Sequence, residues 1–97
     1  MTLDELLRDL LVETPDVTEK RGEYSRDGVV FAARPTPNAV EVRLGADIAQ
    51  AAMNTGHTGP SPRGDDWVRL ETPDWSAAHD RLEAWYRVAW RLAGKRR

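Results

Sequence analysis

TPDWSAAHDRLEAWYRVAWRLAGKRR, residues 72–97, is the stretch whose reading decides this fold. Pro73 ends what precedes it, and Asp74 is a natural helix N-cap, its carboxylate placed to accept a backbone N–H of the first turn. Trp75, Ala78, Leu82, Trp85, Ala89 and Leu92 then follow at spacings of 3, 4, 3, 4 and 3. That rhythm predicts one amphipathic helix with an apolar seam along its length. Gly94 is a C-cap candidate, and Lys95, Arg96 and Arg97 suit the negative end of the helix dipole. Trp90 lies off the seam with Tyr86 four residues before it, so the two share a neighbouring stripe. Either the buried face is broad, or Tyr86 and Trp90 form an exposed aromatic patch where a partner docks.

A helix this long needs a surface to cover, and the rest of the chain supplies one. At the other end, Thr2 and Glu5 match a capping box. Leu3, Leu6, Leu7, Leu10 and Leu11 form a second apolar stripe, which stops at Thr14 because Pro15 disfavours helix in the residue before it. Between the helices the period changes to two. Val17 to Lys20 reads as a short strand. Asp27-Gly28, between Tyr24-Ser25-Arg26 and Val29-Val30-Phe31, is a strong hairpin signal. Val29 to Arg34 is apolar enough for a central strand. After a turn at Pro35 to Asn38, residues 39–44 alternate: Val40, Val42 and Leu44 are expected to face the core, Glu41 and Arg43 water. Ala46 to Met53 reads as a short helix, with Ala49, Ala52 and Met53 near Ile48 on one side, and Trp67 to Glu71 as another strand. The expected order is α-β-β-β-β-α-β-α over residues 1–97, a single α+β domain. It has an antiparallel sheet of four or five strands packed by N-terminal and C-terminal helices.

Bulk composition narrows the function classes. The formal charge of −2 does not favour wholesale binding to nucleic acid or an anionic membrane. With no cysteine, disulfides, thiolate chemistry and cysteine-containing zinc sites are excluded. No apolar run approaches the ~20 residues of a membrane span, and the first residues are acidic where a signal peptide is basic. A cytoplasmic protein is expected.

NTGHTGPSPRGDDW, residues 54–67, is the richest stretch for chemistry. His57 as an acid/base group or metal ligand, Asp65 and Asp66 as its partners, Arg63 as an anion clamp and Trp67 beside them would make a ligand site. The alternative is a solvated connection shaped by its glycines and prolines. Its histidine and carboxylate spacing fits no metal signature, and Gly56, Gly59 and Gly64 match neither a phosphate loop nor a dinucleotide fingerprint. No cofactor and no metal is implied, and no serine sits in a nucleophile elbow. Arg87, Arg91, Lys95, Arg96 and Arg97 make a basic face and tail. They are open to contact with phosphates, or to pairing Arg87 with Glu83 and complementing the helix dipole.

Tyr24, Asp27 to Ala32, Val40 to Leu44, Trp67-Val68, and a last helix carrying Trp85 and Leu92-Ala93 resemble the small bacterial proteins of the MmcQ/YjbR type over roughly residues 17–93. The resemblance implies a sheet with flanking helices in a double-wing arrangement, and DNA binding. The chain lacks the longer middle section such proteins carry. Weighing these features, the leading expectation is a small binding or interaction protein, a homodimer, with a small molecule or a protein as partner. It would use Tyr86, Trp90 and the stretch from His57 to Asp66. DNA binding comes second, and a metal- or acid/base-dependent enzyme using His57 with Asp65 or Asp66, in the stretch 54–66, third.

Overall fold

The computed structural model describes residues 1–95. Arg96 and Arg97, assigned above to the basic tail, lie outside the described residues. Helix α1 (Leu3–Glu13) leads into four strands, β1 (Val17–Lys20), β2 (Glu23–Arg26), β3 (Val29–Thr36) and β4 (Ala39–Arg43). Helix α2 (Ala46–Ala52), β5 (Thr58–Ser61), β6 (Gly64–Glu71) and helix α3 (Trp75–Gly94) complete it. The sheet has six strands, not four or five, in the order β1-β2-β3-β4-β6-β5, every neighbour antiparallel. The class is α+β, as the sequence predicts. No helix among the described residues is long and apolar enough to cross a membrane.

The sixth strand comes from the stretch expected to be irregular. Residues 58–71 form a hairpin in which Thr58, Gly59 and Pro60 pair with Leu70, Arg69 and Val68. Thr-Gly-Pro-Ser has poor strand propensity, but β5 is an edge strand, where a proline's missing N–H costs no ladder bond. The β1–β2 and β2–β3 hairpins turn on Arg21-Gly22 and Asp27-Gly28, all four residues at positive φ (55°, 80°, 54°, 80°), the geometry of type I′ turns.

Helix α1 carries the predicted box: Thr2 Oγ1 accepts from Glu5 N–H at 3.2 Å, and Glu5 Oε1 accepts from Thr2 N–H at 3.1 Å. Helix α3 runs unbroken for 20 residues, with Asp74 accepting from Ala77 N–H. Its buried face is Trp75, Ala78, Leu82, Tyr86, Ala89 and Ala93, which corrects the expected seam at two positions. The reason is angular. An α-helix turns about 100° per residue, so 18 residues close five turns. Ala93 therefore stands directly over Trp75, whereas Leu92 falls about 100° away and Trp85 about 80° away. A strict 3-4-3-4-3 rhythm drifts off a straight helix. Trp85 and Leu92 become half-buried flanks, and Tyr86 becomes core.

Tyr86 is fully buried, with its ring edge-on to Phe31 at 5.3 Å and to Tyr24 at 6.4 Å. Its hydroxyl lies 2.9 Å from Thr14 Oγ1, and Thr14 Oγ1 also donates to the Leu10 carbonyl at 2.8 Å. Thr14 has one hydroxyl hydrogen and spends it on Leu10, so Tyr86 is the donor. One bond thus ties the end of α1 to the middle of α3 inside a core completed by Leu3, Leu6, Leu7, Val40, Val42, Leu44, Val68, Leu70 and Leu82. Ile48, expected beside the buried side of α2, is 46% exposed.

Cross-strand register sets Glu23, Ala33, Glu41, Arg69 and Gly59 in one row across the sheet. Glu41, expected to face water, is 2% exposed. It sits on β4 with strands on both sides, and Arg63 from the β5–β6 turn bridges Glu41 Oε1 (3.3 Å) and Glu23 Oε2 (2.8 Å). Arg69 Nη1 stands 3.8 Å from its other oxygen. The carboxylate is roofed by guanidinium groups, and burial is tolerable because the charge is paired.

Candidate functional site

The hairpin separates the residues expected to act together. His57 sits beside Glu71, accepting its N–H at the backbone carbonyl, while Asp65 and Asp66 lie at the other end of β6. Five strand residues span about 17 Å, so His57 has no reach to either aspartate. Its side chain is exposed, at φ 61°. Arg63 is committed to Glu23 and Glu41 and stacks over the Trp67 ring at 5.2 Å, and Trp67 is buried. The anion-clamp and acid/base assignments are therefore corrected: Arg63 already holds two carboxylates of the fold. Among the described residues, no three His, Cys, Asp or Glu side chains come together in a way that could hold a metal ion.

The aromatic patch is corrected too. Tyr86 is core, and Trp90 is half-buried and engaged within the chain. Its indole N–H donates to Asp16 at 3.0 Å, which helps hold that carboxyl below its usual pKa. The Arg26 guanidinium lies 4.1 Å from the Trp90 ring and donates to the Trp90 carbonyl. Of the basic face, Arg87 pairs with Glu13 of α1 rather than Glu83, while Arg91 and Lys95 are exposed.

The structure opens a pocket where the sequence drew no attention. Past Tyr86, the face of α3 that meets the sheet shrinks to Ala89 and Ala93, and small side chains there leave a gap above Val29 and Phe31. Gly45, at φ 86°, is the N-cap of α2 and has no side chain to fill it. The result is a cavity of ≈ 230 Å³ lined by Val29, Phe31, Arg43, Gly45, Asp66, Ala89, Leu92, Ala93 and Lys95. Its polar wall is well fixed. Leu44 and Gly45 both donate their N–H groups to the Asp66 carbonyl at 2.9 and 3.2 Å, and Arg43 Nε donates to Asp66 Oδ2 at 2.6 Å. Arg43 is thus held by its Nε. Two cations and one anion leave the lining with a net charge of +1.

Asp66 is the one member of the expected ligand site that lines this cavity, and Lys95 comes from the expected basic tail. Val29, Phe31, Arg43 and Ala89 were read only as strand or seam residues. The readable signal was size: the α3 seam passes from Trp75 and Leu82 to the alanines at 89 and 93. No protein-family model, curated protein or solved structure matches the chain.

Proposed function

We propose that this chain is a small-molecule binding protein, and that its ligand is a compact monoanion with an apolar body, such as an aromatic or branched aliphatic carboxylate. The single observation that carries this is the cavity's construction: an apolar enclosure with one fixed, net-positive polar wall. Ligand sites are typically concave and apolar with few oriented polar groups. The size sets the scale. A cavity of about 150 Å³ holds one benzene, so ≈ 230 Å³ accommodates a ring plus a small charged substituent. The body lies against Phe31, Leu92 and the two alanines, and the carboxylate meets Arg43 and Lys95. Asp66 orients Arg43 and leaves a single net positive charge to be matched, and the cavity's size turns away bulky anions. Binding is favoured over turnover because the pocket's one carboxylate is already held by an arginine.

Titration with benzoate and phenylacetate, followed by amide chemical shifts, tests this. Saturable shifts clustered at Gly45, Asp66, Ala89 and Ala93 are expected, weaker with neutral benzyl alcohol. Ala93→Leu, which fills the cavity, abolishes them, and Arg43→Gln removes the preference for the anion. Shifts that never saturate, or that survive Ala93→Leu in a folded variant, would refute the reading.

A further inference from the structure

A second cleft lies on the far side of the sheet's first hairpin, between the β1–β2 turn, the start of α1 and the end of β3. It measures ≈ 420 Å³ and is lined by Asp4, Glu19, Arg21, Gly22, Tyr24, Arg34 and the segment from Pro35 to Pro37. Its character is opposite to that of the first. Two carboxylates and two guanidiniums face a polar hollow.

The hydrogen bonding inside it is incomplete in a directional way. Arg34 is spent on Asp4 and the Pro37 carbonyl. Asp4 also takes Arg8. Glu19 uses Oε2 to accept from Gly22 N–H at 2.9 Å, leaving Oε1. Thr36 Oγ1 accepts from Asn38 N–H, leaving its hydroxyl hydrogen. Arg21 makes no hydrogen bond or ion pair among the described residues. Tyr24 is 94% buried by its 6% exposure, yet its hydroxyl has no hydrogen-bond partner among the described residues. Among the described residues, the buried side-chain polar atoms that make no hydrogen bond are Arg26 Nε, Glu41 Oε2 and Trp75 Nε1, the first two of them facing an ion-pair partner. The Tyr24 hydroxyl is not one of them, so it reaches open space, and the cleft is the space it lines.

Buried hydroxyls almost always find a partner. A hydroxyl that opens only into a cleft, beside an arginine with no ion pair, can take that partner only from outside. Three of the unspent groups are donors: the Arg21 guanidinium, the Tyr24 hydroxyl and the Thr36 hydroxyl. One is an anionic acceptor, Glu19 Oε1. The donor set suits a carboxylate, the acceptor suits an ammonium, and the lining sums to zero charge. Complementary potentials then call for a guest that is neutral overall and charged locally.

We propose that this cleft is a second ligand site, independent of the apolar cavity, and that it binds a small zwitterion of the amino-acid type. The carboxylate lies against Arg21 and Tyr24, and the ammonium against Glu19. Burial, with the Glu19 charge next, pushes the Tyr24 phenol up to about 12, so it remains a donor throughout the neutral range.

The test is calorimetric and NMR titration of the intact chain with alanine and 4-aminobutyrate, two zwitterions of different charge separation. Acetate and ethylamine serve as the separated halves. At least one zwitterion is expected to give saturable shifts at the Gly22, Tyr24 and Thr36 amides, binding roughly tenfold more tightly than either half. Tyr24→Phe and Arg21→Gln each weaken it about 3- to 10-fold, the usual effect of one lost hydrogen bond, and Ala93→Leu leaves it unchanged. Three results overturn the proposal: no saturable binding by either zwitterion, acetate binding as tightly as both, or affinity unaltered in both variants while their folds are intact.

Discussion

Replacing Tyr86 with phenylalanine tests the packing that places every other feature. The change keeps the ring contacts with Phe31 and Tyr24 and removes one hydroxyl. That hydroxyl donates to Thr14 Oγ1, and Thr14 keeps its own bond to the Leu10 carbonyl, so no donor is orphaned. The cost is then one neutral buried hydrogen bond, about 0.5–1.5 kcal/mol net. In a domain this size each kcal/mol moves Tm by about 4–8 °C, so Tyr86→Phe lowers Tm by roughly 2–12 °C. Urea melts of wild type, Tyr86→Phe, Thr14→Val and the double variant give the coupling energy directly, about 0.5–1.5 kcal/mol, with little change in m-value. Stability within about 0.3 kcal/mol of wild type, or no coupling between the two sites, would mean that Tyr86 does not bridge the two helices. The buried face of α3 would then be wrong.

Other outcomes follow from single sites. The Tyr24 phenol is raised from 10.0 to about 12 in the folded chain, so the unfolded chain ionises first as pH rises. Stability from this group is intact below pH ~10 and declines by about 2–3 kcal/mol by pH ~12. The decline is shallower in Tyr24→Phe, measured by chemical melts across that range. Arg21 occupies the left-handed region at φ 55°, so Arg21→Asn stabilises the β1–β2 turn by roughly 0.5–1 kcal/mol, read as a higher urea midpoint. Glu41→Gln strips Arg63 and Arg69 of their shared carboxylate. Because both arginines keep solvent contact, the cost is about 1–2 kcal/mol. Glu41→Leu, which removes the buried charge altogether, costs less, and equal losses in the two variants would contradict that account.

The ends of this fold were legible because single residues decide them. Thr2 with Glu5, Thr14 before Pro15, Asp27-Gly28 and Asp74 each carry a local rule that no distant contact overrides. The middle was less so. Thr58 to Ser61 pairs only because Val68 to Leu70 offers it a template, a fact absent from its own propensities. Glu41 alternates as an outward residue should, and is outward, but Arg63 from another hairpin covers it. The α3 seam was nearly right, and its error shows why near periods mislead: two positions shifted by one residue exchange Tyr86 for Trp85 at the centre of the core. Of the residues first suspected of binding, Asp66 alone lines the apolar cavity together with Lys95 of the basic tail. A cavity is set by what is missing, and Ala89, Ala93 and Gly45 carry no chemical signature in isolation.

The proline at position 60 has a consequence for assembly. The sheet has two outer strands, and the pairing of β5 is broken by a shift between Pro60 and Ser61, while β1 holds regular register with β2. Proline has no N–H to offer an added strand, so the outer margin of β5 is a poorer template for edge-to-edge pairing than that of β1. Pro60→Val would return that donor, and an increased tendency to associate, read by light scattering, is the expected outcome.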